Sequence, residues 1–247
     1  MGRLTPSAAR NPLGGPVVHL DITGSTNDVA RTLAAAGTPA GTVVLAEEQT
    51  AGRGRQGRSW LVPRGRALTF SAVVREDPGA LGLLPLIAAV AVCEACERTA
   101  GVDCAVKWPN DVWIGERKVS GILIEARPQE GWAVVGIGLN VATTTEELPP
   151  DLRDTATSLA IATGAELDRT SVLEALLERL AGWLPADRER LLAAYRERDA
   201  LYGRTIAWTG GEGEARGIDD DGNLVVFLAD GERRVLTAGE VHLLGKP

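Results

Sequence analysis

The feature that most constrains this chain is a run of three glycines and three arginines within seven residues, GRGRQGR at 52–58. Strand-like segments at 42–46 and 67–74 flank the run, which predicts a loop between two strands of a folded domain. Glycine lets backbone approach a ligand closely, and arginine presents a planar fork of donors that fits carboxylate and phosphate. Alternate residues of an extended segment point the same way, so Arg53 and Arg55 are predicted to grip one anion together. We expect this glycine-rich loop to be mobile when empty and fixed when the anion binds.

A disordered RNA-binding tract of the RGG type is the alternative for this loop. Such tracts usually repeat and lie in basic chains, whereas this chain carries one copy and a formal net charge of −7. The sequence therefore favours a small anion over nucleic acid as the ligand of the loop. The spacing of the glycines matches neither a Walker A loop nor a dinucleotide-binding fingerprint.

Length and composition predict one large globular domain and a small one, because the chain has 247 residues, 45% hydrophobic and 24% charged. No apolar run reaches the roughly 18–20 residues of a membrane span. Residues 1–16 lack the apolar core of a signal peptide and are rich in proline, glycine and alanine, which predicts a flexible tail. We therefore expect a cytoplasmic protein without a membrane partner.

The chain has three cysteines, Cys93, Cys96 and Cys104. An odd and low count argues against a disulfide framework. The first two form a C-x-x-C motif inside an apolar segment, with no second pair to complete a zinc site. Buried structural thiols are therefore favoured over redox or metal-binding roles.

Hydrophobic periodicity and turn residues divide residues 17–200 into strands and helices. The strands are predicted at 17–22, 42–47, 67–74, 105–114, 117–125 and 132–141. The helices are predicted at 26–36, 83–99, 158–162, 170–180 and 188–198. Within the segment 105–114, Pro109 is expected at a strand break or a sheet edge.

The composition changes after Gly203, where short strands alternate with glycine-containing turns. These strands are predicted at 205–208, 213–218, 223–228, 232–236 and 241–244. Regular short strands of this kind predict a small β-barrel of roughly SH3 type. We therefore place a C-terminal domain at 201–247, after a large domain at 17–200 and the tail at 1–16.

Several polar residues have two interpretations each. Ser25 and Thr26 can cap the first helix, or their hydroxyl groups can meet a neutral polar ligand. Gln49 is either a solvated loop residue or an amide that pairs with a urea or amide group. Lys118 is either an edge charge or an inward cation for phosphate. Asn140 is either a turn residue or a donor–acceptor pair that reads adenine.

Five short motifs, taken together and in this order, resemble those of the biotin protein ligases. They are GSTN at 24–27, QTAGRGRQGRSW at 49–60, KWPND at 107–111, KVSGILIE at 118–125 and GIGLN at 136–140. The resemblance covers about residues 17–244. It implies the α+β fold with a mixed sheet shared with class II aminoacyl-tRNA synthetases, followed by the small C-terminal barrel.

The resemblance also implies a two-step reaction. Biotin and ATP, with Mg²⁺, give biotinyl-5′-adenylate and pyrophosphate. The adenylate then biotinylates one lysine of the biotin carboxyl carrier domain of an acyl-CoA carboxylase. Attack of a carboxylate on a phosphate ester brings two anions together, so cations and positioning would carry the catalysis and no protein nucleophile is needed.

The resemblance assigns roles to individual residues. Biotin is expected to contact Ser25, Thr26, Asn27, Gln49, Arg53, Gly54, Arg55, Lys118 and Gly121, with the first two and Gln49 on the ureido ring. ATP or AMP is expected to contact Arg53, Arg55, Arg58, Trp60, Asn110, Lys118 and Asn140. Trp60 stacks on adenine in this view, with core packing as its alternative. The expected catalytic residues are Arg55, Lys118 and Asp111, the last of which helps to deprotonate the incoming lysine. No metal ligands are identified.

One departure concerns DNA. Some relatives carry an N-terminal helix-turn-helix of roughly sixty residues, whereas about sixteen residues precede the first strand here. We expect no sequence-specific DNA binding and no repressor function, and a homodimer is left open. A lipoate or octanoate ligase of the same superfamily and a non-catalytic biotin or nucleotide sensor are the alternatives. The presence of Arg53, Arg55 and Lys118 favours an enzyme.

Overall fold

The structure is a computed structural model, and it describes residues 11–75 and 81–244. Its centre is a seven-stranded mixed sheet in the order β1-β2-β3-β7-β6-β5-β4, in which only β1 and β2 pair in parallel. The strands are β1 (Val17–Thr23), β2 (Val43–Gln49), β3 (Ala67–Val74), β4 (Ala105–Lys107), β5 (Asp111–Ile114), β6 (Arg117–Arg127) and β7 (Trp132–Asn140).

Helices cover the two faces of this sheet. The helices are α1 (Thr26–Ala35), α2 (Leu84–Ala100), α3 (Leu159–Thr163), α4 (Arg169–Trp183) and α5 (Arg188–Arg196). Helix α1 packs Ala30 and Ala34 against Val44 and Val73 on one face. Helices α2, α4 and α5 contribute to the main core with the other face. Because both faces are covered, β3 is buried along its whole length, including Thr69 and Ser71.

The segment predicted as a single strand at 105–114 is two strands, and that prediction was wrong. A turn at 108–110 separates β4 from β5, and Pro109 lies in it, as the expectation of a strand break required. Trp108 is buried there, and its indole Nε1 donates to Gly222 O at 3.0 Å. The apolar part of the indole ring is thus buried while its N–H group keeps a hydrogen-bond partner.

A five-stranded antiparallel sheet follows, in the order β11-β10-β9-β8-β12. Its strands are β8 (Thr205–Trp208), β9 (Gly211–Ile218), β10 (Leu224–Phe227), β11 (Arg233–Leu236) and β12 (Val241–Leu243). Buried residues of this sheet, including Ile206 and Leu224, belong to the same apolar cluster as the core of the large domain. The segment before β8 also pairs with β4, because Val106 N donates to Arg198 O and Ala200 N donates to Val106 O.

The two ends of the predicted tail differ. Residues 1–10 lie outside the described residues. Over 11–16 the chain turns against the large domain, where Asn11 Nδ2 donates to Gly15 O and Gly41 O, each at 2.8 Å. Leu13 packs against the main core.

The three cysteines are free and buried, as predicted for structural thiols. Hydrogen bonding to Cys104, and then burial, raise the pKa values of the Cys93 and Cys96 thiols. Over 11–75 and 81–244, no group of three or more His, Cys, Asp or Glu residues is arranged to hold a metal ion. No helix in those ranges is long and apolar enough to cross a bilayer.

Candidate functional site

Residues 52–60, called the lid below, form a short hairpin between β2 and β3. Trp60 N donates to Gly52 O at 2.9 Å and Gly54 N donates to Arg58 O at 2.7 Å. Arg53 and Ser59 are bridge partners in the same hairpin. The expectation that the lid is mobile without a ligand stays a prediction.

The lid covers a cavity of about 450 Å³ above the sheet. This volume is within the range of small-molecule sites. Every residue predicted for the site lines this one cavity, although the motifs are spread over more than a hundred positions. They are Ser25, Thr26, Asn27, Gln49, Arg53, Gly54, Arg55, Arg58, Trp60, Asn110, Asp111, Lys118, Gly121 and Asn140.

One end of the cavity is polar but uncharged, and it is built at the start of α1. Gln49 Oε1 accepts from the backbone N of Thr26 at 2.7 Å and from Thr26 Oγ1 at 3.1 Å. Ser25 occupies the N-cap position, as one of its two interpretations predicted, but its side chain makes no capping hydrogen bond. Both hydroxyl residues are buried to 3% exposure.

Glycines of the sheet make room for large side chains on the cavity floor. A Cβ atom on Gly138 would lie 2.4 Å from the ring of Trp60, and one on Gly136 would lie 2.1 Å from Asn27 Oδ1. No real side chain tolerates such distances, so Trp60 lies on Gly138 only because that residue is glycine. The strand glycines predicted to mark a close approach therefore admit two of the predicted site residues.

Three cationic side chains meet near the middle of the cavity. Lys118 Nζ lies 2.8 Å from Asp111 Oδ1 and 5.7 Å from the centroid of the Trp60 ring. Arg55 Nη1 donates to Asn110 Oδ1 at 3.0 Å. Burial lowers the pKa of Arg55. The third cation is Lys107.

Lys107 was missed as a site residue by the sequence reasoning. It lines the cavity from β4, and burial lowers its pKa, with Asp111 opposing that shift. The signal that could have identified Lys107 is its opposite charge to the predicted site residue Asp111, because the two residues are cross-strand partners in the β4–β5 pair.

The far end of the cavity carries polar atoms that are buried and have no hydrogen-bond partner among the described residues. They are Trp60 Nε1, Asn140 Oδ1 and Thr143 Oγ1. The amide nitrogen of Asn140 is already used, since it donates to Thr157 O at 3.0 Å. Buried polar groups are rarely left unpaired without a reason, so this end is suited to a ligand with donors and acceptors.

The C-terminal sheet reaches the lid through the residues just before β12. Arg55 Nη2 donates to Gly239 O at 3.3 Å, and Arg58 Nη1 lies 2.6 Å from Glu240 Oε1. Glu240 also lines the cavity. It was missed because nothing in the local sequence around position 240 indicates a partner 182 positions earlier.

Both parts of the chain match known families. Residues 20–141 match the model described as the biotin/lipoate A/B protein ligase family, and residues 204–244 match the biotin protein ligase C-terminal domain. The bifunctional ligase/repressor BirA of Bacillus spizizenii is 33% identical over 256 residues, which cover 96% of this chain and 78% of the relative. The chain belongs to the biotin protein ligase family.

Two further members of the family support the match. The biotin–[acetyl-CoA-carboxylase] ligase of Mycobacterium tuberculosis is 38% identical over 239 residues, covering 90% of this chain and 86% of the relative. The biotin protein ligase from Aquifex aeolicus, solved in complex with biotin and ATP, superposes with a TM-score of 0.79 at 30% identity. That superposition covers 93% of this chain and 99% of the other. The predicted family and the predicted α+β fold with a C-terminal β-domain are confirmed.

Proposed function

We propose that this chain activates biotin with ATP to biotinyl-5′-adenylate and transfers the biotin to a lysine of a biotin carboxyl carrier domain. The observation that carries the proposal is a single cavity with a neutral polar end, a cationic middle and a far end of unpaired polar atoms. A ureido ring, a carboxylate next to a phosphate, and an adenine base need these three kinds of environment. The relatives named as biotin ligases support the same reaction.

The neutral end is proposed to bind the ureido ring. With Gln49 Oε1 occupied by Thr26, the amide Nε2 of Gln49 and the hydroxyl of Ser25 remain to meet the ligand. A urea offers a carbonyl acceptor and two N–H donors, which hydroxyl and amide groups can match. Burial of these groups makes an ill-fitting ligand costly, because their hydrogen bonds would then be lost without replacement by water.

The cationic middle is proposed to carry the first step. A carboxylate oxygen of biotin attacks the α-phosphorus of ATP, the bond to pyrophosphate breaks, and negative charge builds on the phosphoryl oxygens. Arg55 and Lys118, which both line the cavity, are proposed to stabilise that charge. Lys107 adds a third cation there.

The second step needs a base and a dry site. The amine of the carrier lysine attacks the acyl carbon of the adenylate, AMP leaves, and the amine loses a proton. Asp111 is the carboxylate proposed to help remove that proton, after its ion pair with Lys118 opens. The lid is proposed to keep water from the mixed anhydride meanwhile.

The far end is proposed to bind adenine. The free acceptor Asn140 Oδ1 suits the exocyclic amino group of adenine, and the Trp60 ring suits stacking on the base. Thr143 Oγ1 adds a donor or acceptor that sequence reasoning did not identify.

Mg²⁺ is proposed to enter with ATP. The described residues offer no cluster of carboxylates that would cage an ion, and Asp111 is already paired with Lys118. Magnesium commonly keeps several waters and binds through substrate phosphates, so the residues present fit an ion carried mainly by the nucleotide. The ion would neutralise phosphate charge when bound.

Incubation of the protein with biotin, ATP, Mg²⁺ and a carrier domain tests the proposal. A mass increase of one biotin on the carrier, lost when its acceptor lysine is replaced by arginine, is the expected result. Lipoate in place of biotin is expected to give no transfer, which separates this function from a lipoate ligase. Failure to modify the carrier, with flat biotin-dependent pyrophosphate exchange, would leave only the sensor alternative.

Several partner and location statements stay predictions. These are the carboxylase that supplies the carrier, a homodimer, a cytoplasmic location and the absence of sequence-specific DNA binding. The last is of interest because the Bacillus spizizenii relative is named a ligase/repressor. A gel shift with a biotin-operon fragment at physiological salt is expected to show no specific complex.

A further inference from the structure

The lid arginine Arg53 is held by two carboxylates that come from separate elements. Its Nη2 lies 2.7 Å from Asp28 Oδ1, in the first turn of α1, and 3.1 Å from Glu125 Oε2, near the end of β6. Among the described residues these are the hydrogen bonds of the Arg53 guanidinium, and both use one nitrogen. The Nε and Nη1 donors are thus left for another acceptor, in a side chain that lines the cavity.

A chain of hydrogen bonds joins the same Glu125 to the neutral end of the cavity. Asn27 Nδ2 donates to Glu125 Oε2 at 2.8 Å, and Asn27 Oδ1 accepts from Ser71 Oγ at 2.6 Å. Ser71 Oγ also lies 2.8 Å from Thr26 Oγ1, which contacts the predicted ureido-binding residues. Asn27 is 4% exposed and fits only because Gly136 lacks a side chain, so its orientation is fixed.

We propose that Asp28 and Glu125 are positioning residues that hold the lid over the bound acyl-adenylate by gripping Arg53. With Nη2 fixed on the two carboxylates, the remaining donors of the guanidinium are oriented toward the acyl–phosphate junction of the intermediate. The proposal rests on the proposed function, and it deepens it by assigning retention of the intermediate to residues outside the predicted site. Asp28 in particular does not line the cavity.

The exposure of these carboxylates favours a role in lid closure over one in fold stability. The side chains of Asp28 and Glu125 are 48% and 23% exposed, and ion pairs with this much solvent exposure contribute little to the free energy of folding. A lid needs only a small bias between open and closed positions, which weak pairs can supply. Arg31 contacts the same two carboxylates at 2.6 and 3.3 Å. The four charges therefore cancel, so the carboxylates add no net repulsion toward an anionic ligand.

The release rate of preformed adenylate tests the proposal. The protein is loaded with labelled biotin and Mg·ATP, freed of excess ligand, and followed without carrier for loss of bound label. Asp28→Asn and Glu125→Gln are each expected to release adenylate about three- to tenfold faster, with single-turnover formation within about twofold of the parent. In an Arg53→Ala background neither change is expected to accelerate release further, because both residues act through Arg53. Unchanged release in both variants, or equal acceleration with and without Arg53, overturns the proposal.

Tryptic cleavage of the ligand-free lid provides a test that needs no activity. Cleavage after Arg55 and Arg58, identified by mass, is expected to be about three- to tenfold faster in Asp28→Asn and Glu125→Gln. Glu178→Gln is the matched control, because it removes a 2.6 Å ion pair of similar exposure with Arg98 on the opposite side of the fold. A parent that forms no adenylate defeats the proposed function, whereas lid cleavage that matches the control defeats the grip on Arg53.

Discussion

The two edges of the lid are held by different parts of the molecule. On one edge, Arg53 is paired with Asp28 and Glu125, both in the large domain that also builds the cavity. On the other edge, Arg58 is paired with Glu240 of the C-terminal domain, and Arg55 reaches the neighbouring Gly239. The first edge is therefore closed by the domain that builds most of the cavity, and the second only if the two domains are docked.

This difference gives the C-terminal sheet a place in the site. Trp108 and the shared apolar cluster fix the small domain against the large one. That contact brings Glu240 to the lid, where its carboxylate pairs with Arg58. The ion pairs at both edges are partly exposed, so the edges differ in the domain that supplies the carboxylate and not in exposure. One edge of the lid therefore depends on the position of the small domain, and the other does not.

The largest expected effect lies at Arg55, which contacts both domains, and at Lys118 beside it. Arg55→Ala and Lys118→Ala are each expected to lower the rate of adenylate formation by ~10²-fold or more, the usual loss for a transition-state cation. Pyrophosphate exchange measures it. Arg64→Ala is the control, since Arg64 pairs with Asp21 outside the cavity. Near-parental rates in both variants would remove these cations from the mechanism and leave the lid edges as binding contacts only.

Trp60, at the end of the lid, belongs to neither edge, and Gly138→Ala tests its role in binding ATP. The added Cβ would lie 2.4 Å from the Trp60 ring, so the ring must leave the floor of the cavity. We expect ATP to bind about tenfold or more weakly, because a base–aromatic stack contributes about 1–3 kcal/mol. Isothermal calorimetry of ATP binding is the measurement. Gly24→Ala is the control, because a Cβ there meets open space. Parental affinity would show that Trp60 only packs.

Local sequence predicted most of the elements, because the signals were local. The runs at 67–74 and 84–96 are mostly apolar, and both lie in largely buried elements. Pro109 indicated a possible strand break, but the β-branched and aromatic residues of 105–114 favoured one continuous strand, so the division into β4 and β5 was not predicted. The two lid anchors were not predictable at all. They join Arg53 to Glu125 across 72 positions and Arg58 to Glu240 across 182, and a single partly exposed carboxylate has no local pattern that indicates its partner.

A smaller effect is expected at the C-terminal anchor. Glu240→Gln removes the charge that faces Arg58, and we expect the KM for ATP to rise about threefold while kcat stays within twofold, because the pair is partly exposed. Glu232→Gln is the matched control, since it breaks an ion pair with Arg234 inside the same sheet. Steady-state kinetics at two salt concentrations check the prediction, with a smaller difference expected at high salt. An effect as large as that of Arg55→Ala would show that Glu240 is needed for the packing of the two domains, and not only for the ion pair with Arg58.

The smallest effect is expected at the contact between the two domains, on which the Arg58–Glu240 pair depends. Asp199 lies in the segment before β8, where that segment pairs with Val106 of β4. The Oδ2 atom of Asp199 is buried and has no hydrogen-bond partner among the described residues. Burial raises the pKa of the Asp199 carboxyl group above the ordinary value of 3.8. A carboxyl group with a raised pKa favours the folded state when protonated, so its contribution falls as pH rises from about 3.8 through the folded pKa. Asp199→Asn should therefore raise Tm by about 2 °C at pH 7, where the buried charge is costly, and by less near pH 4. Asn can still accept the hydrogen bond from Leu201 N. Asp220→Asn, an exposed pair with Arg196, should leave Tm unchanged at both pH values. A lower Tm for Asp199→Asn at pH 7 would mean that the ionised carboxylate holds the domains together, and the Arg58 edge of the lid would then weaken on acidification.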